Sequence, residues 1–149
     1  MTTPKSLLTA RVLTMLVATV TMVGALLADF VIPASAVQHM RNDAWPPHAK
    51  FHDAQYIVMS TLLGAFALTL LGQRNGGIRS RIWTACAVLA TPWVGLLGAM
   101  LFPRTAIHDP EFDNKTVLGL HPQVLLAIVT LTLLVLAAGL ADRGPARSR

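Results

Sequence analysis

Four long apolar runs dominate this sequence and limit what it can fold into. They cover roughly residues 12–32, 52–72, 82–102 and 120–140. A helix that crosses a hydrocarbon core about 30 Å thick needs about 20 apolar residues, so each run is long enough to span a bilayer. Backbone groups in lipid must be hydrogen-bonded internally, and the runs do not alternate as barrel strands do. The sequence therefore predicts an all-α, polytopic membrane four-helix bundle, formed by a single membrane domain over residues 1–149.

The composition indicates an outer surface that faces lipid. Apolar residues make up 54% of the chain and charged residues 13%, which is about half the charged share of a soluble domain. The net charge is +5, but the basic residues flank the apolar runs, so membrane topology explains them better than nucleic acid does. We therefore expect a lipid bilayer and no nucleic-acid partner. The single cysteine, Cys86, cannot form an intrachain disulfide and is expected to be a small core residue.

The lysines and arginines predict the orientation of the helices. Four of the 12 lie in the loops at residues 33–51 and 103–119, namely Arg41, Lys50, Arg104 and Lys115. The other eight, at the two termini and in the loop containing Asn75-Gly76-Gly77, are Lys5, Arg11, Arg74, Arg79, Arg81, Arg143, Arg147 and Arg149. Because basic residues favour the cytoplasmic side, we expect both termini in the cytoplasm (N-in/C-in) and a multi-pass protein of the cell membrane, inner or plasma. A cleaved signal peptide ending at Ala34-Ser35-Ala36 is the alternative for the first run, although that run exceeds the usual apolar core of about 7–15 residues.

The predicted topology places all five histidines, and six of the seven acids, on the extracytoplasmic side or at its helix mouths. Asp29 lies near the outer end of the first helix. It continues a stripe of small residues at helical spacing, namely Thr14, Ala18, Thr21 and Ala25, which is typical of helix packing in membranes. We therefore expect Asp29 to point into the bundle, where a carboxylate is costly and a functional candidate. The alternative is an interfacial acid that caps a helix or pairs with a neighbour.

The segment from Trp45 to Asp53 has the highest density of polar and aromatic residues. His48 and His52 follow the two prolines that start the second helix and lie one turn apart on one face. Two histidines at this spacing can hold a metal ion or transfer a proton. The alternative is hydrogen bonding at a wet helix end. Lys50 lies on another side of the helix, where we expect it to be able to pair with Asp53.

The histidine pair, with residues at the same membrane depth, gives a candidate site. We predict that the catalytic residues Asp29, His48, His52 and His121 surround a single polar pocket. The expected substrate-binding residues are His39, Trp45, Tyr56 and Trp93. Residues 108–113 of the second outer loop are interpreted as a solvated loop or lid. Pro92 is expected to kink the third helix, with Thr91 or a neighbouring helix compensating for the lost backbone donor.

The string Trp45-Pro46-Pro47-His48-Ala49-Lys50-Phe51-His52, after a helix that ends in an acid, resembles a W-P-x-H-A-[KR]-F-H box in an uncharacterised family of small four-helix membrane proteins. The resemblance supports a site in this box and implies no particular reaction. The four-span layout is also loosely similar to the emopamil-binding-type sterol isomerases, membrane helix bundles that use histidine and carboxylates on lipophilic substrates. That similarity is an analogy of architecture.

Three functions fit these patterns. The first is an acid–base enzyme, of isomerase or cyclase type, that acts on a lipophilic small molecule, since histidine beside a carboxylate can transfer protons without a cofactor. No cofactor motif is evident in the sequence. The second is a metal- or haem-binding protein in redox chemistry or electron transfer, with His48, His52 and His121 as ligands. The third is a non-catalytic membrane subunit or carrier. Oligomer formation is compatible with all three.

Overall fold

The computed structural model describes residues 5–74, 77–113 and 115–143, and these ranges contain five α-helices and no β-strand. Helix α1 covers Lys5–Ala25 and continues as a π-helix over Leu26–Val31. The short α2 covers Pro33–Ala36. The remaining helices are α3 at Pro47–Gly72, α4 at Ile78–Ala99 and α5 at Pro122–Asp142. Asn75 and Gly76 of the expected loop, and Arg147 and Arg149 of the basic tail, lie outside the described residues.

Four helical segments are long and apolar enough to cross a membrane: Lys5–Val31, Pro47–Gly72, Ile78–Ala99 and Pro122–Asp142. The predicted all-α architecture with four spans is therefore confirmed. Three of the segments begin before the apolar runs do, because Lys5, Pro47 and Ile78 already belong to their helices. Proline fits the first helical turn, where its missing N–H has no partner to lose, and both α3 and α5 begin with one. Large apolar side chains such as Leu62, Leu16 and Val135 cover the outer surface, as expected for lipid contact.

The four long helices form a ring in the order α1, α3, α4, α5, and α1 also contacts α4 across the interior. Small residues lie where the helices meet: Ala10 and Ala18 of α1, Ala67 of α3 and Ala85 of α4 are completely buried. Such residues let backbones approach closely in a bilayer, where van der Waals packing drives helix association. The predicted small-residue stripe on α1 is confirmed for its buried members, and Ala25 is half-buried.

Hydrogen bonds satisfy several polar side chains between α1 and α4 in the middle of the bundle. The Thr14 hydroxyl donates to the Ala10 carbonyl oxygen at 2.8 Å and lies 3.6 Å from the buried sulfur of Cys86. The Trp93 indole N–H donates to Thr21 Oγ1 at 3.0 Å. Cys86 is therefore a small core residue, as predicted. These bonds link α1 to α4 at mid-membrane depth without leaving the donors unpaired.

Pro92 interrupts the backbone ladder of α4, because proline cannot donate to the carbonyl four residues earlier. That carbonyl belongs to Val88, and the Thr91 hydroxyl donates to it at 2.7 Å. The expected compensation by Thr91 is confirmed. The helix continues through the proline to Ala99.

The bundle has two chemically different ends. At one end, the Arg79 Nε group donates to the Ala141 carbonyl oxygen at 2.9 Å, and the Trp83 indole donates to Asp142 Oδ1 at 2.9 Å. The first turns of α1 and α4 and the last turns of α3 and α5 meet there, and we call it the arginine end. The opposite end, which we call the histidine end, contains the π-helix, α2, the start of α3 and the loop between α4 and α5. Both described chain ends, Lys5 and Arg143, lie at the arginine end.

Candidate functional site

A π-helical segment brings Asp29 into the bundle at the histidine end. The Ile32 N–H donates to the Leu27 carbonyl oxygen at 2.8 Å, which is the five-residue spacing of a π-helix. Segments of this kind occur frequently at functional sites. Asp29 is 3% exposed. The prediction that this carboxylate points into the bundle is therefore confirmed.

Asp29 lines a cavity of about 460 Å³ that all four long helical segments contribute to. We call it the carboxylate cavity because Asp53, one turn into α3, also lines it. Its other polar lining groups are His39, Tyr56, Ser60, Thr91 and Gln123. Its apolar lining residues are Met59, Leu63, Pro92, Gly95, Leu96 and Ala99. The cavity thus combines two carboxyl groups with walls suited to a lipophilic molecule.

Each of the two carboxyl groups in this cavity has a buried oxygen without a hydrogen bond in the described part of the chain. Asp29 Oδ1 and Asp53 Oδ2 are buried and accept no hydrogen bond from the residues that the structure describes. Burying a polar group without a partner costs free energy. Lys50 and Asp53 form no ion pair within the described residues, whereas His39 lies within ion-pair distance of Asp29. The expected pairing of Lys50 and Asp53 is therefore not formed, and Asp53 faces the cavity.

His39 lies beside Asp29 because the first outer loop folds back over the bundle. The Ser35 hydroxyl donates to the Ala28 carbonyl oxygen at 2.6 Å, and the Met40 N–H donates to the Asp29 carbonyl oxygen at 3.2 Å. His39 Nδ1 is 3.0 Å from the Ser35 carbonyl oxygen and 3.5 Å from Asp29 Oδ1. A carbonyl oxygen only accepts hydrogen bonds, so Nδ1 carries a proton. The neutral ring therefore keeps Nε2 as its basic nitrogen.

A second cavity, of about 390 Å³, adjoins the carboxylate cavity and shares His39 with it. We call it the loop cavity, because the two outer loops form much of it. Its polar lining includes Trp45, His108, Asp109 and His121. The Trp45 indole N–H donates to Asp109 Oδ2 at 3.1 Å. This bond ties the first outer loop to the second.

His121 lines the loop cavity and caps α5. Its Nδ1 accepts from the Gln123 N–H at 3.4 Å, and its ring stacks on that of His108 with the centroids 6.2 Å apart. Burial, and then the charges of His108 and His39, lower the pKa of His121 below its ordinary value. A lowered pKa favours the neutral ring, which is the form that can accept the bond from Gln123.

His48 and His52 form the predicted pair but lie on the exposed face of α3. Their Nε2 atoms are 3.1 Å apart, and His52 Nδ1 is 3.3 Å from Gln55 Oε1. His48 also stacks on Phe51 with a centroid distance of 6.3 Å. Neither histidine lines the carboxylate cavity or the loop cavity.

The structure therefore does not gather the four predicted catalytic residues around one pocket. Asp29 lines the carboxylate cavity, His121 lines the loop cavity, and His48 and His52 face outward. The physical reason is the rotation of α3 about its own axis, which decides which side chains face the bundle. Its buried face contains Ile57, Ser60, Gly64, Ala67 and Leu71. At 100° per residue, His48 and His52 lie on roughly the opposite side from that face. The pair satisfies its own hydrogen bonding at the helix end, as the alternative interpretation held.

Three of the four expected substrate-binding residues line a cavity. Tyr56 lines the carboxylate cavity, Trp45 lines the loop cavity and His39 lines both. Trp93 lines neither, because its indole packs inside the bundle against Thr21.

Sequence reasoning missed Asp53 and Gln123 as cavity residues. The signal for Asp53 was present, since it precedes Ile57 by four residues and Gly64 by 11 on the face that carries the small residues of α3. Gln123 offered no such signal. It reaches the carboxylate cavity only because α5 begins next to the folded outer loops.

Metal coordination was the alternative expectation for His48, His52 and His121. Within residues 5–74, 77–113 and 115–143, no three His, Cys, Asp or Glu side chains are arranged to hold a metal ion. His48 and His52 contact each other, whereas His121 contacts His108. The binding of a metal ion or haem remains a prediction from the sequence.

The fold and the two cavities define a four-span membrane protein with a partly polar, partly apolar cavity near one end of its bundle. The chain belongs to the family of unknown function DUF6640, whose model matches residues 13–147. No curated protein and no solved structure shows a significant match to it. Membership fits the resemblance to an uncharacterised family. The Trp45–His52 box and the analogy with sterol isomerases stay predictions.

Proposed function

We propose that this protein is a membrane enzyme that transfers protons on a lipophilic small molecule, as an isomerase or cyclase, with the carboxylate cavity as its active site. One observation carries the proposal: two carboxyl groups, each with a buried oxygen that accepts no hydrogen bond from the described residues, face one cavity whose other walls are largely apolar. A bundle that needed only to fold would gain by replacing them with apolar groups. Ionisable groups inside membrane bundles are functional candidates for this reason.

The proposed step is the migration of a carbon–carbon double bond. The O–H of one carboxyl group, Asp29 or Asp53, protonates an alkene carbon, while the other carboxylate removes a proton from the allylic carbon. The double bond shifts by one position, and the two carboxyl groups exchange protonation states. With Asp29 as the acid, the cycle is reset when His39, whose Nδ1 lies 3.5 Å from Asp29 Oδ1, gives its Nδ1 proton to the Asp29 carboxylate and takes up at Nε2 the proton that Asp53 releases. In a cyclase the same two groups would start and end the reaction. Neither version needs an oxidant or a reductant.

The surroundings of the cavity support a lipophilic substrate. Met59 of α3 and Thr91 and Gly95 of α4 line it and are exposed on the outside of the bundle. The cavity is therefore open between α3 and α4, on a surface that faces lipid. A volume of about 460 Å³ falls within the range of small-molecule sites, about 300–1,000 Å³. A substrate dissolved in the bilayer would reach the carboxyl groups without crossing water.

The proposed active site differs in two ways from the site that the sequence predicts. His48 and His52 are given no role in the chemistry, because they face away from the cavity. His121 contributes to the adjoining loop cavity and caps α5. For orientation, we propose that the arginine end is cytoplasmic and that the cavities open near the extracytoplasmic side of the cell membrane, since the basic residues concentrate at the arginine end.

Deuterium incorporation from solvent tests this proposal and requires no assumption about which lipophilic compound is the substrate. The purified protein in nanodiscs is incubated in D₂O with a total lipid extract from cells that express it naturally, and the extract is analysed by mass spectrometry. We expect a lipophilic compound to gain deuterium with the wild type, and Asp29→Asn or Asp53→Asn to reduce the rate at least about 100-fold, the usual contribution of an acid–base group. His48→Gln and His52→Gln serve as matched controls and should retain the wild-type rate.

The outcome that contradicts the proposal is equally specific. Incorporation that is absent with the wild type, or that persists in both aspartate variants, would rule out proton transfer in this cavity. Loss of incorporation in the His48→Gln and His52→Gln variants, with the aspartate variants unaffected, would instead place the active site at the exposed histidine pair.

A further inference from the structure

The arginine end contains a cavity that the proposed enzymatic function does not use. It has a volume of about 450 Å³ and lies between the first turns of α1 and α4 and the last turn of α3. Its charged lining residues are Arg11, Arg74 and Arg81, and no acid lines it among the residues that the structure describes. We call it the arginine cavity.

Two of these guanidinium groups, on the half-buried side chains of Arg11 and Arg81, contain buried donors without a partner among the described residues. Arg11 Nε, Arg81 Nε and Arg81 Nη1 are inaccessible to solvent and have no hydrogen-bond partner in the described part of the chain. Arg79 is different, because it donates to the carbonyl oxygens at the end of α5. Buried cations are normally paired, since an isolated charge in a low-dielectric environment is costly. The unpaired donors therefore call for an acceptor.

The protein itself does not supply that acceptor within the described ranges. Six of the seven acids in the sequence belong to the π-helix, the start of α3 or the outer loops, all at the histidine end. The seventh, Asp142, accepts a hydrogen bond from the Trp83 indole and does not line the arginine cavity. The three guanidinium groups therefore repel one another without a neutralising partner. An anion in the cavity would satisfy the donors and remove the repulsion.

The geometry points to a phosphate group as the ligand of the arginine cavity. Guanidinium groups bind phosphate oxygens through paired N–H donors, and arginine is the preferred residue for such contacts. The cavity lies at one end of the four candidate membrane spans, and Leu7 and the exposed Leu8 add apolar surface to its lining. Basic pockets between membrane helices bind anionic lipid headgroups in this way. The phosphate can come from an anionic phospholipid or from free phosphate, and the experiment separates the two sources.

The test measures binding to the full-length protein in a neutral detergent. Short-chain phosphatidylglycerol, short-chain phosphatidylcholine and inorganic phosphate are titrated separately, with tryptophan fluorescence during thermal unfolding as the readout. We expect phosphatidylglycerol to raise the melting temperature of the wild type, and Arg11→Gln or Arg81→Gln to weaken its apparent affinity at least about tenfold, as expected for loss of a charge-assisted contact. Arg143→Gln, an exposed residue at the same end, is the matched control and should behave as the wild type.

Each outcome either supports or contradicts a phosphate site in the arginine cavity. Stabilisation by phosphatidylglycerol alone identifies a lipid headgroup, and equal stabilisation by inorganic phosphate identifies free phosphate. Stabilisation by phosphatidylcholine as strong as by phosphatidylglycerol, or binding that Arg11→Gln, Arg74→Gln and Arg81→Gln leave unchanged, overturns the inference. If the Arg11→Gln and Arg81→Gln variants do not fold, Arg74→Gln, which changes an exposed lining residue, decides the question alone. The result does not depend on whether the carboxylate cavity is catalytic.

Discussion

The contact between α1 and α3 at Gly64 makes a sharp prediction for stability. A Cβ atom added at Gly64 would lie 2.5 Å from Met22 Cβ, 2.6 Å from the Ala18 carbonyl oxygen and 2.7 Å from Met22 Cα. Ordinary contacts begin at 3.4 Å, and two of these three atoms belong to the backbone. A rotamer change cannot relieve the clash, so Gly64→Ala should force the two helices apart by about 1 Å.

The structure indicates the size of the effect. Overpacking of this kind typically costs about 1–3 kcal/mol. Separation of the helices would also break the bond from the Thr61 hydroxyl to the Met22 carbonyl oxygen, now 3.0 Å long, at a cost of about 1 kcal/mol. Alanine gains about 1 kcal/mol over glycine in helix propensity, which offsets that loss. We therefore expect Gly64→Ala to lower the free energy of unfolding by about 1–3 kcal/mol.

Equilibrium unfolding in mixed dodecyl maltoside and SDS micelles, followed by tryptophan fluorescence, measures this change. Gly139→Ala in α5 is the matched control, because an added Cβ there meets nothing within 4 Å. It should leave stability unchanged or raise it by up to about 1 kcal/mol. Equal stability of Gly64→Ala and Gly139→Ala would contradict the close approach of α1 and α3. It would also contradict the helix arrangement that brings Asp29 and Asp53 to the same cavity.

Three further predictions concern topology, access and pH. Reporter fusions at the C-terminus and within residues 106–115 should report opposite sides of the membrane, with the C-terminus cytoplasmic; the same side for both would contradict the four-span arrangement. Gly95→Phe should abolish deuterium incorporation while leaving the melting temperature near that of the wild type, because an added Cβ at Gly95 meets nothing within 4 Å; full activity would place substrate access elsewhere. The pKa of His121 is lowered in the folded protein from 6.5, so the unfolded state binds more protons there and stability should fall as pH drops through 6.5. In detergent, His121→Gln should show a smaller loss of melting temperature between about pH 7.5 and 5 than the wild type does, and an equal loss would refute that assignment.

The sequence predicted those features that follow from helical periodicity over long segments. The four spans followed from the length of the apolar runs, and the inward direction of Asp29 followed from the small residues that precede it on α1. Compensation at Pro92 followed from local chemistry, because Thr91 is next to the proline and its hydroxyl reaches the freed carbonyl of Val88. Each of these inferences needed only residues on one helix.

The interpretation of α3 failed because polarity was used to choose its inward face. His48 and His52 are polar, and polarity alone predicts that they lie inside with Asp29. At the wet end of a helix, exposed histidines carry little cost, because water or each other can satisfy them. Packing chooses the inward face instead, and the glycine and alanine residues of α3 mark it. Followed from Gly64 back toward the start of the helix, the same face leads to Asp53.

The position of His39 could not be derived from periodicity at all. It depends on long-range contacts of an irregular segment, such as the Ser35 hydroxyl bond to Ala28 and the backbone bond from Met40 to Asp29. These contacts exist because the π-helix ends where α2 begins. A sequence pattern gives the loop its length, but only the folded chain fixes which side chain lies beside the carboxylate.

The distribution of unpaired polar groups along the bundle supports assigning ligands to both ends. In the middle, Thr14 and Trp93 each have a partner. The unpaired buried atoms of the acids lie in the carboxylate cavity, and those of Arg11 and Arg81 lie in the cavity at the opposite end. Poor packing or a generally polar interior would scatter such atoms along the helices. Ser60 Oγ and His108 Nδ1 also lack partners within the described residues and belong to the two cavities of the histidine end, whereas Asn42 Nδ2 in the first outer loop lines none of these cavities. The charged groups are thus separated, carboxylates at one end and guanidinium groups at the other, which is the arrangement expected if each is completed by a molecule that the chain itself does not provide.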